Sequence, residues 1–136
     1  MENQKSAIGL DGNLAAALGY PIGLIALILI FIEKENKFVR FHAIQSLVWG
    51  IVCAVVWTIT LILAILLFFG GSAAGFASGS TAVSVIVGIL GLLALLVFIV
   101  VSIGWFVSII YAAVKSYGGT RVMLPVAGKL AEKWSS

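Results

Sequence analysis

The chain has 136 residues, of which 62% are hydrophobic and 10% charged, and its formal net charge is +3. Soluble domains carry about 25% charged residues, whereas uncharged apolar runs of about 20 residues belong to membrane spans. Residues 43–114 contain no Asp, Glu, Lys or Arg, and neither do residues 12–32, which excludes a water-soluble globular domain, a disordered chain and a disulfide-framed secreted module.

The positive charge comes from a few residues in short connecting segments, not from a basic face, so nucleic acid is not an expected partner. The first apolar run, residues 14–32, is about 28 Å long as a helix, close to the hydrocarbon thickness. Pro21 sits in its first half between Tyr20 and Ile22, flanked by Gly19 and Gly23, so a helix there kinks or restarts. Glu2 and Asp11 precede the run and Glu33-Lys34-Glu35-Asn36-Lys37 follows it. That is neither a basic leader nor a small-residue cleavage site, and the run reads as a retained span. The second run, residues 44–69, is about 39 Å of helix. It holds Cys53, the one cysteine, which behaves in hydrocarbon as a small hydrophobe. An uncharged segment rich in glycine and serine, residues 70–82, reads as an external loop. The third run, residues 83–114, is about 48 Å as helix. It is too long for one perpendicular crossing, and it should tilt, bend near Gly104 or emerge at one end.

Counting Lys and Arg sets the orientation. Lys34, Lys37 and Arg40 lie in the connection 33–43, and Lys115, Arg121, Lys129 and Lys133 in the tail 115–136. Only Lys5 precedes the first run, and the loop 70–82 has none. Three crossings place the connection and the tail in the cytoplasm and the N-terminus outside. A two-crossing version, with residues 14–32 re-entrant around Pro21, puts every basic residue inside. The length of the first run favours three. The expected fold is therefore all-α: an integral membrane helical bundle, one domain over residues 1–136. It has three transmembrane helices, N-out and C-in, plus a short C-terminal interfacial helix. In that helix Pro125 opens the first turn, Ala127, Leu130, Ala131 and Trp134 share one face, and Lys129, Glu132 and Lys133 share the other.

Lipid is as apolar as leucine, so close approach through small residues must hold the spans together. Ser46, Gly50, Ala54 and Thr58 form a stripe on the second span, and Gly104, Ser108 and Ala112 one on the third. Gly19 and Gly23 on the first and Gly88 and Gly91 on the third serve the outer half. Tyr111, Tyr117 and Trp134 suit the inner interface and Phe68, Phe69 and Phe76 the outer one. The deeper Trp49, Trp57 and Trp105 are expected to pair their indole N–H groups with backbone or hydroxyl oxygens across helices.

The most informative stretch is residues 33–46. Glu33 and Lys37 are in i,i+4 register if the helix continues past Ile32, and His42, Gln45 and Ser46 share a helical face. Arg40 can reach lipid phosphate. Glu33, Lys34, Lys37, Phe38, Arg40, Phe41, His42, Gln45 and Ser46 together form a candidate cytoplasmic interaction motif. Asn13-Leu14-Ala15-Ala16-Ala17-Leu18, Tyr20-Pro21-Ile22-Gly23 and the stretch from Glu33 through Lys37-Phe38-Val39-Arg40-Phe41-His42-Ala43-Ile44-Gln45-Ser46 resemble a prokaryotic family of small membrane proteins of unknown function. That family includes the magnetosome proteins MamF and MmsF and is described as similar to the twenty-kilodalton translocon subunit of the chloroplast inner envelope. The ending, Tyr117-Gly118-Gly119 through Leu124-Pro125-Val126-Ala127-Gly128-Lys129-Leu130-Ala131, looks like the family ending. The resemblance covers nearly the whole chain. It implies a three- or four-helix integral membrane protein and carries over no catalytic residue.

No paired carboxylates, zinc-ligand spacing or phosphate loop is visible, so no enzyme, cofactor or metal is expected. The expected role is a non-enzymatic protein of the prokaryotic plasma (inner) membrane. Its partners would be the lipid bilayer and a homo-oligomer or larger membrane complex, reached through small-residue faces and the charged cytoplasmic loop. A transporter, channel or protein-translocation component is the alternative. The break at Pro21 favours it, while the spans offer only Ser46, Thr58, Thr60, Ser84, Ser102 and Ser108 as polar groups.

Overall fold

The computed structural model describes residues 4–135 and is all-helical. The chain begins with a tight turn in which Ser6 N and Ser6 Oγ both donate to Leu10 O. Asp11 then caps α1 (Gly12–Leu18), its Oδ1 accepting from Asn13 N at 2.9 Å. The chain leaves the helix over residues 19–22, where Pro21 supplies no N–H. It restarts as α2 (Gly23–Ile32), about 15 Å long.

The single crossing expected over residues 14–32 is not what forms. The run is two short helices folded back on themselves, and its flanks meet. Ala7 N donates to Glu33 Oε2 at 2.6 Å, and Asn36 Nδ2 donates to Gln4 O at 3.0 Å. Segments on opposite sides of about 30 Å of hydrocarbon cannot be hydrogen-bonded. The alanines of the run make the fold-back compact, because Ala15, Ala26, Leu29, Val39 and Ala43 bury one another completely.

The helical register expected to join Glu33 to Lys37 is also interrupted. Helix α3 (Lys37–Ile65) starts afresh, and Asn36 caps it. Asn36 Oδ1 accepts from Phe38 N and Val39 N at 3.2 Å each, while Asn36 N donates to Glu33 Oε1 at 3.1 Å. Beyond Ile65 a π-helical turn (Leu66–Gly70) leads into α4 (Gly71–Ser78). The turn itself is only Gly79 and Ser80. Gly79 has φ +61°, and Ser80 Oγ accepts from Val83 N at 3.4 Å to open α5 (Thr81–Tyr117). The expected external loop is thus mostly helix. Helix α5 runs unbroken through Gly104, and α6 (Ala127–Ser135) ends the described chain.

The chain divides into two compact units, residues Met1–Val52 with Phe106–Ser136, and Cys53–Trp105. Within the second unit the arms of α3 and α5 pair through Trp57, whose Nε1 donates to Ser102 Oγ at 3.1 Å and whose ring lies 5.2 Å from Phe98. The π turn and α4 close on α5 where glycine permits contact. A Cβ on Gly71 would overlap Val87, one on Gly75 would overlap Ser84, and one on Gly91 would lie 3.1 Å from Phe68 Cα. Among the described residues, two helical stretches are long and apolar enough to cross a membrane, Lys37–Ser78 and Thr81–Tyr117. In the most apolar part of each, only 6% of residues are buried. A core helix of a soluble protein would be mostly covered, so these helices are built for lipid.

Candidate functional site

Three segments of the first unit converge on a polar cluster inside an apolar shell. Tyr20 comes from the break between α1 and α2, His42 and Gln45 from one face of α3, and residues 122–124 from the non-helical segment leading to α6. His42 and Gln45 are fully buried and Tyr20 nearly so. Tyr20, Ala112, Leu124 and Ala127 pack beside them, with Val48 and Trp49 at the margin.

The hydrogen bonds fix the orientation of Gln45 at the centre of the cluster. Leu124 N can only donate, and it donates to Gln45 Oε1 at 3.0 Å; Val122 O can only accept, and it accepts from Gln45 Nε2 at 2.9 Å. The amide orientation of Gln45 follows. Its second N–H is directed to Tyr20 OH. The Tyr20 hydroxyl and His42 Nδ1 are hydrogen-bonded at 2.9 Å. Burial raises the Tyr20 pKa well above its ordinary value, opposed by the Gln45 hydrogen bond. The phenol thus stays protonated.

The His42 ring is held edge-on by Tyr20, Phe38 and Phe41, at centroid distances of 5.8, 4.5 and 5.1 Å. The Arg121 guanidinium stacks 4.9 Å from the Phe41 ring. His42 Nε2 is buried and makes no hydrogen bond among the described residues. Helix α6 reaches the cluster because residue 128 has no side chain. A Cβ there would lie 3.0 Å from Gln45 Oε1 and 2.8 Å from Met123 Cβ. Chemically, the arrangement is a buried hydrogen-bonded network that ties three distant stretches of chain together.

The candidate interaction motif is therefore split. Glu33, Phe41, His42, Gln45 and Ser46 are buried, so they are not the docking surface that the spacing suggested. Glu33 holds Ala7 and Asn36, and Ser46 Oγ turns back to Ala43 O at 3.0 Å. Phe38 and Arg40 are half-buried, and only Lys34 and Lys37 are exposed. The small-residue positions divide in the same way. Gly19 packs on Ala26 and Ser46, Gly91 on Phe68, Ser108 receives Trp49 Nε1 at 2.8 Å, and Ala112 is buried. Ala54 and Thr58 are exposed, and nothing lies within 4 Å of a Cβ built on Gly23, Gly50, Gly88 or Gly104. Trp49 and Trp57 pair across helices as expected. Tyr20, Asn36, Gly71, Gly75, the 122–124 backbone and Gly128 are the organising residues that spacing did not single out. An Asn just before a helix start is the one local signal among them.

Residues 4–131 match the model of the Magnetosome magnetite crystal formation protein family, MamF/MmsF. The chain belongs to this family. It is 34% identical over 132 residues to a UPF0132 membrane protein of Methanocaldococcus jannaschii, covering 96% of this chain and 94% of the relative. A second UPF0132 membrane protein of that organism is 32% identical over 94% of this chain and 73% of its own length. One from Archaeoglobus fulgidus is 33% identical over 89% and 92%. No solved structure matches. Membership of the MamF/MmsF family, relatives named as membrane proteins and two long lipid-suited helices make this a membrane protein. The likeness to the chloroplast translocon subunit gains nothing from these matches.

Proposed function

We propose that this MamF/MmsF-family protein is a non-enzymatic membrane scaffold that assembles with copies of itself in the prokaryotic inner membrane. The observation that carries this reading is the set of open glycine faces. Gly50, Gly88 and Gly104 have nothing within 4 Å of a built Cβ, and Ala54 and Thr58 are exposed on the Gly50 stripe. In lipid, small-residue faces bring helices together where apolar burial cannot. Faces left unused inside one chain are suited to helices of another. The crossing helices are α3 and α5, giving two crossings rather than three. Both termini and all of the Lys and Arg then lie on the cytoplasmic side, as the charge rule requires.

The family description speaks of crystal formation. The segment between the two crossings, residues 70–81, contains no carboxylate to hold iron, and this favours a scaffolding role over a mineral-contacting one for this chain. The experiment is native mass spectrometry from lipid nanodiscs, with Gly50→Ile and Gly88→Ile as variants. The expected result is an oligomer that falls to monomer in one or both variants while helix content is kept. A monomeric parent protein contradicts the proposal.

A further inference from the structure

The last described segment carries a surface that the proposed assembly does not use. Helix α6 docks through its smallest residues, with Ala127, Gly128, Ala131 and Ser135 buried. The opposite edge combines apolar and basic groups. Leu130, Lys133 and Trp134 fall at i, i+3 and i+4, one stripe of the helix, with the exposed Lys129 and Glu132 beside it and Val126 in the turn just before it. Val126 is 61% and Trp134 52% exposed, and both lysines are exposed.

The position of this edge along α3 says what it meets. Ala131 packs with Phe41 and Ile44, and Gly128 lies against Gln45. Helix α6 is therefore level with the residues where the uncharged stretch 43–114 begins, the height of a headgroup layer on α3. Val126 adds an independent indication. Among the described residues it is the one non-glycine with positive φ, at 62°, a conformation that a β-branched side chain adopts only under strain. A water-facing turn would be served better by Gly or Asn. Valine gains from this site only if its side chain leaves water.

We propose that this edge is an anionic-lipid docking surface. Val126, Leu130 and Trp134 enter the headgroup–acyl boundary, and Lys129 and Lys133 pair with the phosphates of acidic lipids. The proposal rests on membrane insertion, not on self-assembly, so either can fail alone. Two lysines close to an anionic surface shift the docked-to-undocked ratio about thirtyfold.

The test uses full-length protein in nanodiscs of phosphatidylcholine alone or mixed with phosphatidylglycerol. An environment-sensitive fluorophore is attached to Trp134→Cys in a Cys53→Ser background, and lipids spin-labelled near the headgroup serve as quenchers. The expected result is blue-shifted, quenched emission, stronger with phosphatidylglycerol, with that difference abolished by Lys129→Gln/Lys133→Gln. Val126→Asn suits the backbone, should leave the thermal midpoint unchanged or higher, and should reduce quenching. Water-like emission in both lipids overturns the proposal. So does quenching that ignores both lipid charge and the lysines. Shielding that appears only as protein copies per disc increase assigns the edge to a second copy, and also overturns it.

Discussion

At the scale of single residues, Gln45 is the keystone of the cluster. It bonds both Val122 O and Leu124 N while donating to the Tyr20 hydroxyl. Gln45→Ala leaves buried backbone groups without partners and should cost about 3 kcal/mol. The measurement is thermal unfolding in detergent, together with proteolysis, and cleavage is expected first in residues 118–126. Tyr20→Phe removes one hydroxyl and strands His42 Nδ1 and one Gln45 N–H, at a cost of about 1–3 kcal/mol. The double variant should cost less than the sum of the singles, because both break the same network. Additive losses would show that the cluster is not coupled.

At the scale of elements, the two long helices are legible from the absence of charge and α6 from its alternating faces, although it starts at Ala127, beyond a left-handed Val126, and not at Pro125. The cross-helix partners of Trp49 and Trp57 were legible from the chemistry of an indole in hydrocarbon. The first run misled because its length matches a membrane while its packing does not. Alanines at residues 15, 16 and 26 allow a close fold-back, and that depends on contacts with Val39 and Ala43 far along the chain. The glycine-rich stretch misled for a related reason. Gly71 and Gly75 are there to admit Val87 and Ser84, not to break a helix. The shared face of His42 and Gln45 is legible from their spacing, but its burial is not, since its third partner, the 122–124 backbone, carries no sequence signature. Two predictions belong at this scale. Gly71→Val should disrupt the α4–α5 contact and lower the thermal midpoint, because a Cβ there overlaps Val87. Asn36→Ala removes the cap of α3 and should cost about 1 kcal/mol, read by the same unfolding assay.

At the scale of the whole molecule, the decisive feature is that the segment around residue 7 and the segment around residue 33 are hydrogen-bonded to each other. The proposed topology rests on this contact: two crossings, with the segments before and after them on one side and the basic residues gathered there. The most direct measurement is labelling of single cysteines with a membrane-impermeant maleimide in intact cells, using Ile8→Cys, Lys34→Cys and Ser80→Cys in a Cys53→Ser background. The account predicts that Ser80→Cys reacts in intact cells, while Ile8→Cys and Lys34→Cys react only after permeabilisation. Labelling of Ile8→Cys from outside with Lys34→Cys protected would mean that the first run crosses the membrane, and would contradict the account.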